Sequence, residues 1–279
     1  MSRRWFLTLS AVLALTTVAS AQTPWRFHWQ PNQVLTYRVE QQTTTSFETQ
    51  EDGKAEFTVQ LNLVKRWQVT SVDSQGVATL HMSLASLRME QHLPDGEVLL
   101  FDSTQSDAGE SSMGDQLNRY IGQTLAVLRI DNQGRIVDVT ESKFGPASRY
   151  VSDLPFKLTL PDAAPSAGQK WQRVYDITLE PPDGTGEKIA ARQFYECQKV
   201  TDQQATIRLT TSIPQPPESV ADRVPLLQYQ PQGELTFDVR TGILRQAVLT
   251  IDESLPGFQG EGSNYHFRST YKEVYVGDN

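Results

Sequence analysis

The sequence has one cysteine, four histidines, no basic cluster and no long apolar run after its first twenty residues. Because Cys197 is alone, no intramolecular disulfide can form, and a hydrophobic core must hold the fold. Cys197 lies in the strand-like run Phe194–Cys197, where we expect a small buried hydrophobe instead of a reactive thiol. The histidines are too scattered to indicate a zinc site, so we expect no metal and no other cofactor.

The sequence also lacks positive charge. The formal net charge is −8, and loss of Arg3 and Arg4 with a leader would leave 23 basic against 33 acidic residues, a charge of −10. An acidic chain without a basic cluster is a poor binder of nucleic acid and of anionic lipid surfaces. We therefore expect no nucleic-acid partner.

The first 21 residues are typical of a secretory signal peptide. Two arginines precede an apolar run, Leu7–Val18, and a small-residue end predicts cleavage after Ala21. The apolar run is too short for a permanent anchor, so we expect an exported mature chain, periplasmic or extracellular, without a transmembrane anchor. The run Ser2–Leu7 resembles the twin-arginine motif, with Thr8 where lysine is usual, and both the Sec and the twin-arginine routes stay open.

No stretch carries a catalytic signature. The chain has no G-x-S-x-G elbow, H-E-x-x-H helix, phosphate-binding glycine loop or EF-hand run. Many of its acids fall in predicted turns, where aspartate bonds to the backbone; these are Glu51, Asp52, Asp73, Asp95, Asp131 and Asp183. We name no catalytic residue and favour a non-enzymatic role.

The stretch Glu56–Thr70 dominates what the chain does contain. Its odd positions are apolar except Lys65, and its even positions are polar except Val64. A period of two predicts a β-strand with one face on a core and one in water, about 45 Å long. A strand of this length must twist, and it predicts a large antiparallel sheet.

The fold class that follows is all-β, with long curved antiparallel sheets and one or two short helices. An open half-barrel and a sandwich both fit. Val34–Phe47 and the long strand read as one hairpin. The next strand changes its apolar parity near Ala85 and Ser86, which predicts a β-bulge.

The predicted domain organisation is a signal peptide at 1–21, an N-terminal β half at 22–160, a linker at 161–169 and a C-terminal β half at 170–279. The runs Ile130–Ile136 and Phe237–Ile243 share one turn pattern. A duplicated half-sheet explains this, and so does the general similarity of antiparallel hairpins.

Three side chains are candidate ligand contacts: Lys65, Trp67 and Trp171. Lys65 lies on the apolar parity, so it must snorkel to an edge, pair with an acid or line a cavity, and we expect snorkelling first. The structural alternative is that Lys65 lies at a sheet edge, where its charge prevents aggregation through that edge. Near the predicted cleavage site, Trp25–Trp29 places three aromatic rings on one parity; we expect an opening strand docked on the core, the alternative being an exposed binding face.

The runs Tyr37–Thr45, Lys65–Thr70 and Gly76–Thr79 give the chain a resemblance, mainly over residues 35–140, to an uncharacterised family of exported bacterial all-β proteins. That family implies a cell-envelope location and brings no known activity or site residues. The long curved sheet also resembles the half-barrels of periplasmic lipoprotein carriers, an analogy of architecture alone.

The function we predict is an exported cell-envelope protein that binds an apolar ligand, such as a lipid, or an envelope protein on a curved antiparallel sheet. One alternative is a structural or interaction module with a fully packed core, whose partners meet the loops 102–114 or 214–217. A hydrolase of envelope polymers is the other alternative.

Overall fold

A computed structural model describes residues 24–50, 53–105, 112–143, 145–181 and 184–277. The predicted signal peptide and the centre of the 102–114 loop, residues 106–111, lie outside the described residues. The strands are β1 Val34–Thr49, β2 Gly53–Val72, β3 Ala78–His92, β4 Val98–Asp102, β5 Thr124–Ile130, β6 Ile136–Ser142, β7 Lys170–Leu179, β8 Glu187–Val200, β9 Gln204–Ser212, β10 Gln232–Asp238, β11 Ile243–Pro256 and β12 Asn264–Gly277. The helices are α1 Ser112–Asn118, α2 Arg149–Ser152 and a 3₁₀ helix, Ala221–Tyr229.

These twelve strands form one antiparallel sheet, in the order β6-β5-β3-β2-β1-β12-β11-β10-β9-β8-β7, with β4 paired to β3. The chain runs through the sheet as two meanders, β1 to β6 and β7 to β12, which join where β1 pairs with β12. The all-β antiparallel prediction is confirmed, and the sheet is single and open. Strands from both sides of the segment 161–169 therefore share it.

The long strand is β2, and it is longer than the sequence pattern suggested. Its residues 53–68 pair with the whole length of β1, with Thr45 opposite Phe57, so the predicted hairpin is confirmed. Trp67 and Val69 are buried, whereas Arg66 and Gln68, which alternate with them along the strand, are exposed. This alternation is expected of a strand with one face on the core and the other in water.

The predicted β-bulge is present in β3. Val64 of β2 pairs with Ser86 and Lys65 pairs with Leu84, which leaves Ala85 as the extra residue. The bulge brings Leu84 and Leu87 to the same face of the sheet although they lie on opposite parities.

The aromatic segment Trp25–Trp29 packs on the core but is not a strand. It crosses between two turns instead of running beside a strand. The amide of Phe27 donates to the carbonyl of Asn132 at 2.8 Å, and the amide of His28 donates to that of Gly242 at 3.3 Å. The docking prediction was right and the strand assignment was wrong, because turns supply the partners that a neighbouring strand would have supplied.

A segment that we call the strap, residues 145–160, lies between β6 and β7 and contains α2. Four of its buried apolar side chains, Tyr150, Phe156, Leu158 and Leu160, belong to the main core cluster on the concave face of the sheet. Leu154 is also buried. The Phe156 ring lies 5.6 Å from those of Trp67 and Phe27, centroid to centroid. The strap thus fills one part of the concavity with side chains.

The two edge strands of the sheet, β6 and β7, lie near one another, with strap residues between them. Ile136 of β6 and Trp171 of β7 line the same cavity, of about 500 Å³, together with strap residues. We call it the seam cavity. Eleven strands laid flat at about 4.8 Å spacing would put these edges tens of ångströms apart, so the sheet must curl strongly.

Candidate functional site

The concave face contains a cavity of about 240 Å³ between the strap, α1 and strands β1, β2, β3 and β5. We call it the small compartment. Most of its wall is apolar; the apolar side chains include Leu63, Trp67, Met82, Leu84, Leu87 and Leu125. Apolar concavities with a few converging polar groups are the usual form of small-molecule sites.

On the other side of the strap lies a larger cavity of about 530 Å³, the large compartment. Its wall carries many amides and hydroxyls, among them Thr43, Gln193, Gln228 and Ser269. The strap separates the two compartments, and the same side chains of Arg149, Asp153, Leu154 and Lys157 line both. The concavity is therefore divided into a mainly apolar part and a part whose wall is mixed polar and apolar, with charged side chains at the boundary.

Lys65 lines the small compartment and pairs with a buried acid. Its ammonium lies 2.5 Å from Oε1 of Glu273, and the two side chains are 14% and 1% exposed. It also lies 5.9 Å from the centre of the Trp67 ring. The expected snorkelling to an edge is wrong, since β2 is a central strand and an acid two strands away is within reach.

A second ion pair forms on the strap between Lys157 and Asp153. Lys157 also lies 4.9 Å from the centre of the Tyr271 ring, and the Tyr271 hydroxyl donates to Oε2 of Glu273 at 2.9 Å. The two pairs thus meet at Tyr271. We call Lys65, Arg149, Asp153, Lys157 and Glu273 the charged cluster.

Burial and charge shift the ionisation of two groups here in opposite directions. Burial raises the pKa of Asp153, but the positive charges of Lys157, Lys65 and Arg149 lower it by more than burial raises it. The pKa of Asp153 is therefore below the ordinary 3.8. The Asp153 side chain stays 59% accessible because it faces open cavity. Burial and the carboxylates of Glu273 and Asp153 raise the pKa of Tyr271 well above 10.0, so this tyrosine is a neutral donor.

The structure brings two of the three candidate residues together. Lys65 and Trp67 line the small compartment, whereas Trp171 lines the seam cavity. There Trp171 donates its Nε1–H to the carbonyl of Thr159 at 2.7 Å and stacks on Tyr195 with ring centres 5.5 Å apart. Those contacts give Trp171 a packing role, and its part in ligand binding stays a prediction.

The other members of the charged cluster were not predicted from the sequence. Glu273 could have been recognised in the same way as Lys65. It is a charged residue on a face of β12 where its neighbours two residues away, Tyr271 and Tyr275, are both aromatic. Asp153, Lys157 and Arg149 lie on the irregular strap, where no periodicity marks a residue that faces inward.

The charged cluster offers little for acid–base catalysis. A general acid needs a raised pKa, and the pKa of Asp153 is lowered. Three of the acids predicted to serve turns do so: Asp73, Asp95 and Asp131 accept backbone amide hydrogen bonds. Glu51, Asp52 and Asp183 lie outside the described residues.

In the described part of the chain, no group of three or more histidines, cysteines or acids is placed to hold a metal ion. The helices described here are all too short or too polar to span a membrane.

No protein-family model matches the chain. A search of curated proteins likewise finds no match. Among solved structures, a lipovitellin described for its lipid–protein interactions is 14% identical over 90% of this chain, with a TM-score of 0.48. The chain spans only 26% of that lipovitellin.

Two other solved structures have weaker similarity. DynF from the dynemicin biosynthesis pathway of Micromonospora chersina is 9% identical, covers 96% of this chain and 93% of its own, and has a TM-score of 0.23. A DUF1329 family protein from Desulfovibrio piger is 10% identical, covers 89% of this chain and 88% of its own, and has a TM-score of 0.16. Because all three TM-scores are below 0.5, these likenesses support no argument about function.

Proposed function

We propose that this chain is an exported protein that binds an apolar ligand in the small compartment and catalyses no reaction on it. The observation that carries the proposal is the cavity of about 240 Å³ beside Trp67, which the strap covers without filling. Apolar surface that stays accessible inside a fold is costly in water, and a ligand that covers it gains that free energy.

The cavities also favour this proposal over a module with a fully packed core. A packed core leaves few voids larger than a water molecule, and both compartments are much larger. The hydrolase alternative needs a carboxyl group tuned to donate a proton, and Asp153 is tuned the opposite way. Partner binding through the 214–217 loop stays a separate candidate.

The test is to express the full chain in a bacterium and recover it from the cell envelope. We expect a mature protein that starts at Gln22 and that carries lipid or another apolar molecule in native mass spectra and solvent extracts. A ligand-free mature protein that also takes up no alkyl compound would overturn the binding proposal. Retention of the first 21 residues, with the protein in the cytoplasm, would overturn the export proposal.

A further inference from the structure

The charged side chains on the wall of the large compartment balance one another. Among the described residues, the cations Arg149 and Lys157 and the acids Asp153 and Glu180 line it. Lys157 pairs with Asp153, and the Glu180 carboxylate accepts a hydrogen bond from the Ser148 hydroxyl at 3.3 Å. A charged ligand group would lose its hydration here without meeting an excess of the opposite charge, which is unfavourable. The wall therefore favours a polar group without charge.

Gln193 presents a hydrogen-bond donor to this compartment. It lies on β8, is 6% exposed and lines the large compartment. Its Oε1 accepts from Nη2 and Nε of Arg173 at 2.7 and 3.1 Å, and from the Tyr195 hydroxyl at 3.1 Å. Arg173 lies directly opposite Gln193 on β7. The oxygen is therefore held from the β7 side, and the Nε2 group, on the other side of the carboxamide, faces the concavity.

The Nε2 group of Gln193 is a donor that the protein leaves unused. It has no acceptor among the described residues, and unlike the indole nitrogen of Trp67 it retains accessible surface. Polar groups inside a fold are normally hydrogen-bonded, so an oxygen of a ligand in the large compartment would complete this one. Because the carboxamide is already held by its oxygen, accepting such a ligand would cost little side-chain entropy.

Hydroxyl groups and aromatic rings continue this wall. Thr43 and Ser269 lie opposite one another on β1 and β12, with their hydroxyl oxygens 3.1 Å apart, and each hydroxyl can donate or accept. Phe267 and Tyr271, two residues to either side of Ser269, line the same compartment. The wall thus combines apolar faces with donors and acceptors, which suits a group that carries several hydroxyls on a carbon ring or chain.

The two compartments adjoin, so a single ligand can occupy both. Gln41 and Tyr271 line both of them, as do four side chains of the strap. The small compartment, of about 240 Å³, is below the range of roughly 300–1,000 Å³ that is usual for small-molecule sites, whereas the large one, of about 530 Å³, is within it. A ligand whose apolar part fits the small compartment therefore has room for a head group in the large one.

From these observations we propose that the ligand is an uncharged amphiphile whose head group carries several hydroxyls, a sugar or a glycerol. This inference rests on the proposed function. The apolar chain lies in the small compartment and the head group lies in the large one. There the Nε2–H of Gln193 donates to one of its oxygens, and the hydroxyls of Thr43 and Ser269 complete its hydrogen bonds.

The test compares five probes of equal chain length by calorimetric titration of the mature chain below micelle concentrations. They are decyl glucoside, 1-O-decylglycerol, decanol, decanoate and decylphosphocholine. We expect decyl glucoside or 1-O-decylglycerol to bind about tenfold more tightly than the other three, and the tighter of the two identifies the head group. Decanol binding as tightly as both would overturn the head-group proposal and leave apolar binding intact. Tighter binding of decanoate or decylphosphocholine would also overturn it.

Gln193→Glu separates recognition from folding. It keeps an acceptor for Arg173 and Tyr195 but replaces the Nε2 donor by an oxygen. The preference for the hydroxylated probe over decanol should therefore fall about tenfold, while decanol binding stays unchanged. Gln198→Glu, at an exposed residue of the same strand, is the matched control and should bind every probe as the parent does.

Thr43→Val is a second variant, which keeps the shape of the side chain and removes its hydroxyl. It should weaken binding of the hydroxylated probe severalfold and leave decanol binding unchanged. An unchanged preference in both variants, or equal loss of decanol and hydroxylated-probe binding in both, would overturn the proposal. Absence of binding to every probe in the parent is instead the failure of the proposed function.

Discussion

Lys65 and Glu273 form an ion pair of 2.5 Å across the strand that lies between them. Lys65 is on β2, Glu273 is on β12, and β1 separates the two. Glu273 is 1% exposed, so its charge depends on that one lysine and on the Tyr271 hydroxyl. The pair therefore joins the two meanders of the sheet on the floor of the candidate site.

Breaking this pair from one side should be strongly destabilising. We expect Lys65→Met to lower the free energy of unfolding by about 3–5 kcal/mol, because it leaves Glu273 buried with an unpaired charge. Lys65→Met with Glu273→Leu should recover most of that loss. Urea unfolding of the mature chain measures both. The exposed pair Lys170–Glu196 provides the control, and Lys170→Met should change little. A loss in Lys65→Met no larger than in this control would contradict the account.

Phe156 anchors the strap on the aromatic core. Its ring contacts those of Phe27, Trp29 and Trp67, with centres 5.4–5.6 Å apart. Phe156→Ala should lower the free energy of unfolding by about 3–5 kcal/mol, through lost burial and the void it leaves. Leu100→Ala, at a leucine 53% exposed on β4, should be nearly neutral. Similar effects of the two variants in denaturant titrations would show that the strap is not part of the core.

Gly134 holds a turn against both the strap and the N-terminal segment. It has a φ of 82°, and a Cβ there would lie 2.5 Å from the Leu158 carbonyl oxygen and 2.6 Å from the Phe27 ring. Gly96 has a φ of 87°, and a Cβ there would have no other atom within 4 Å. A substitution at Gly96 therefore measures the cost of the positive φ alone.

We therefore expect Gly96→Ala to cost about 1–2 kcal/mol and Gly134→Ala about 2 kcal/mol more. Thermal and urea unfolding of the two variants give the comparison. Equal costs would mean that the contact of Phe27 with this turn is loose.

Strands β2 and β3 show which features of the fold could be predicted from the sequence. The period of two in β2 and the parity change at Ala85 both reflect a rule that holds within a single strand, so both features were predictable. Lys65 could be recognised as unusual for the same reason. Its partner could not be identified, since pairing β1 with β12 depends on contacts more than two hundred residues apart in sequence.

The strap shows where such patterns fail. Asp153 and Lys157 face the compartments because α2 and the turns beside it aim them inward. An irregular segment has no repeat from which a facing side can be deduced. The aromatic spacing of Trp25–Trp29 predicted burial correctly, but an irregular path between two turns produces the same spacing as a strand.

Asp238 should make stability depend on acid pH. Burial raises the pKa of this carboxyl, but hydrogen bonds from Thr241, Arg245 and Arg240 lower it by more than burial raises it. The pKa is therefore below the ordinary 3.8. A lowered pKa means that its stabilisation is complete above pH 3.8 and is lost as the pH falls through the folded-state value.

Asp238→Asn should therefore cost about 1–3 kcal/mol at neutral pH, and the cost should shrink toward pH 3. Urea unfolding at both pH values tests this, with Asp176→Asn at an exposed acid of β7 as the control. A constant difference between parent and variant across this range would contradict the assignment.

Filling the small compartment with a larger side chain tests the central claim most directly. Leu84 lines it at the bulge, and Leu100 lies exposed on the neighbouring β4. We would titrate Leu84→Trp, Leu100→Trp and the parent with the apolar dye N-phenyl-1-naphthylamine, after checking that all three fold. The account predicts at least about tenfold weaker binding in Leu84→Trp and unchanged binding in Leu100→Trp. Equal dye binding by the parent and by Leu84→Trp would contradict it.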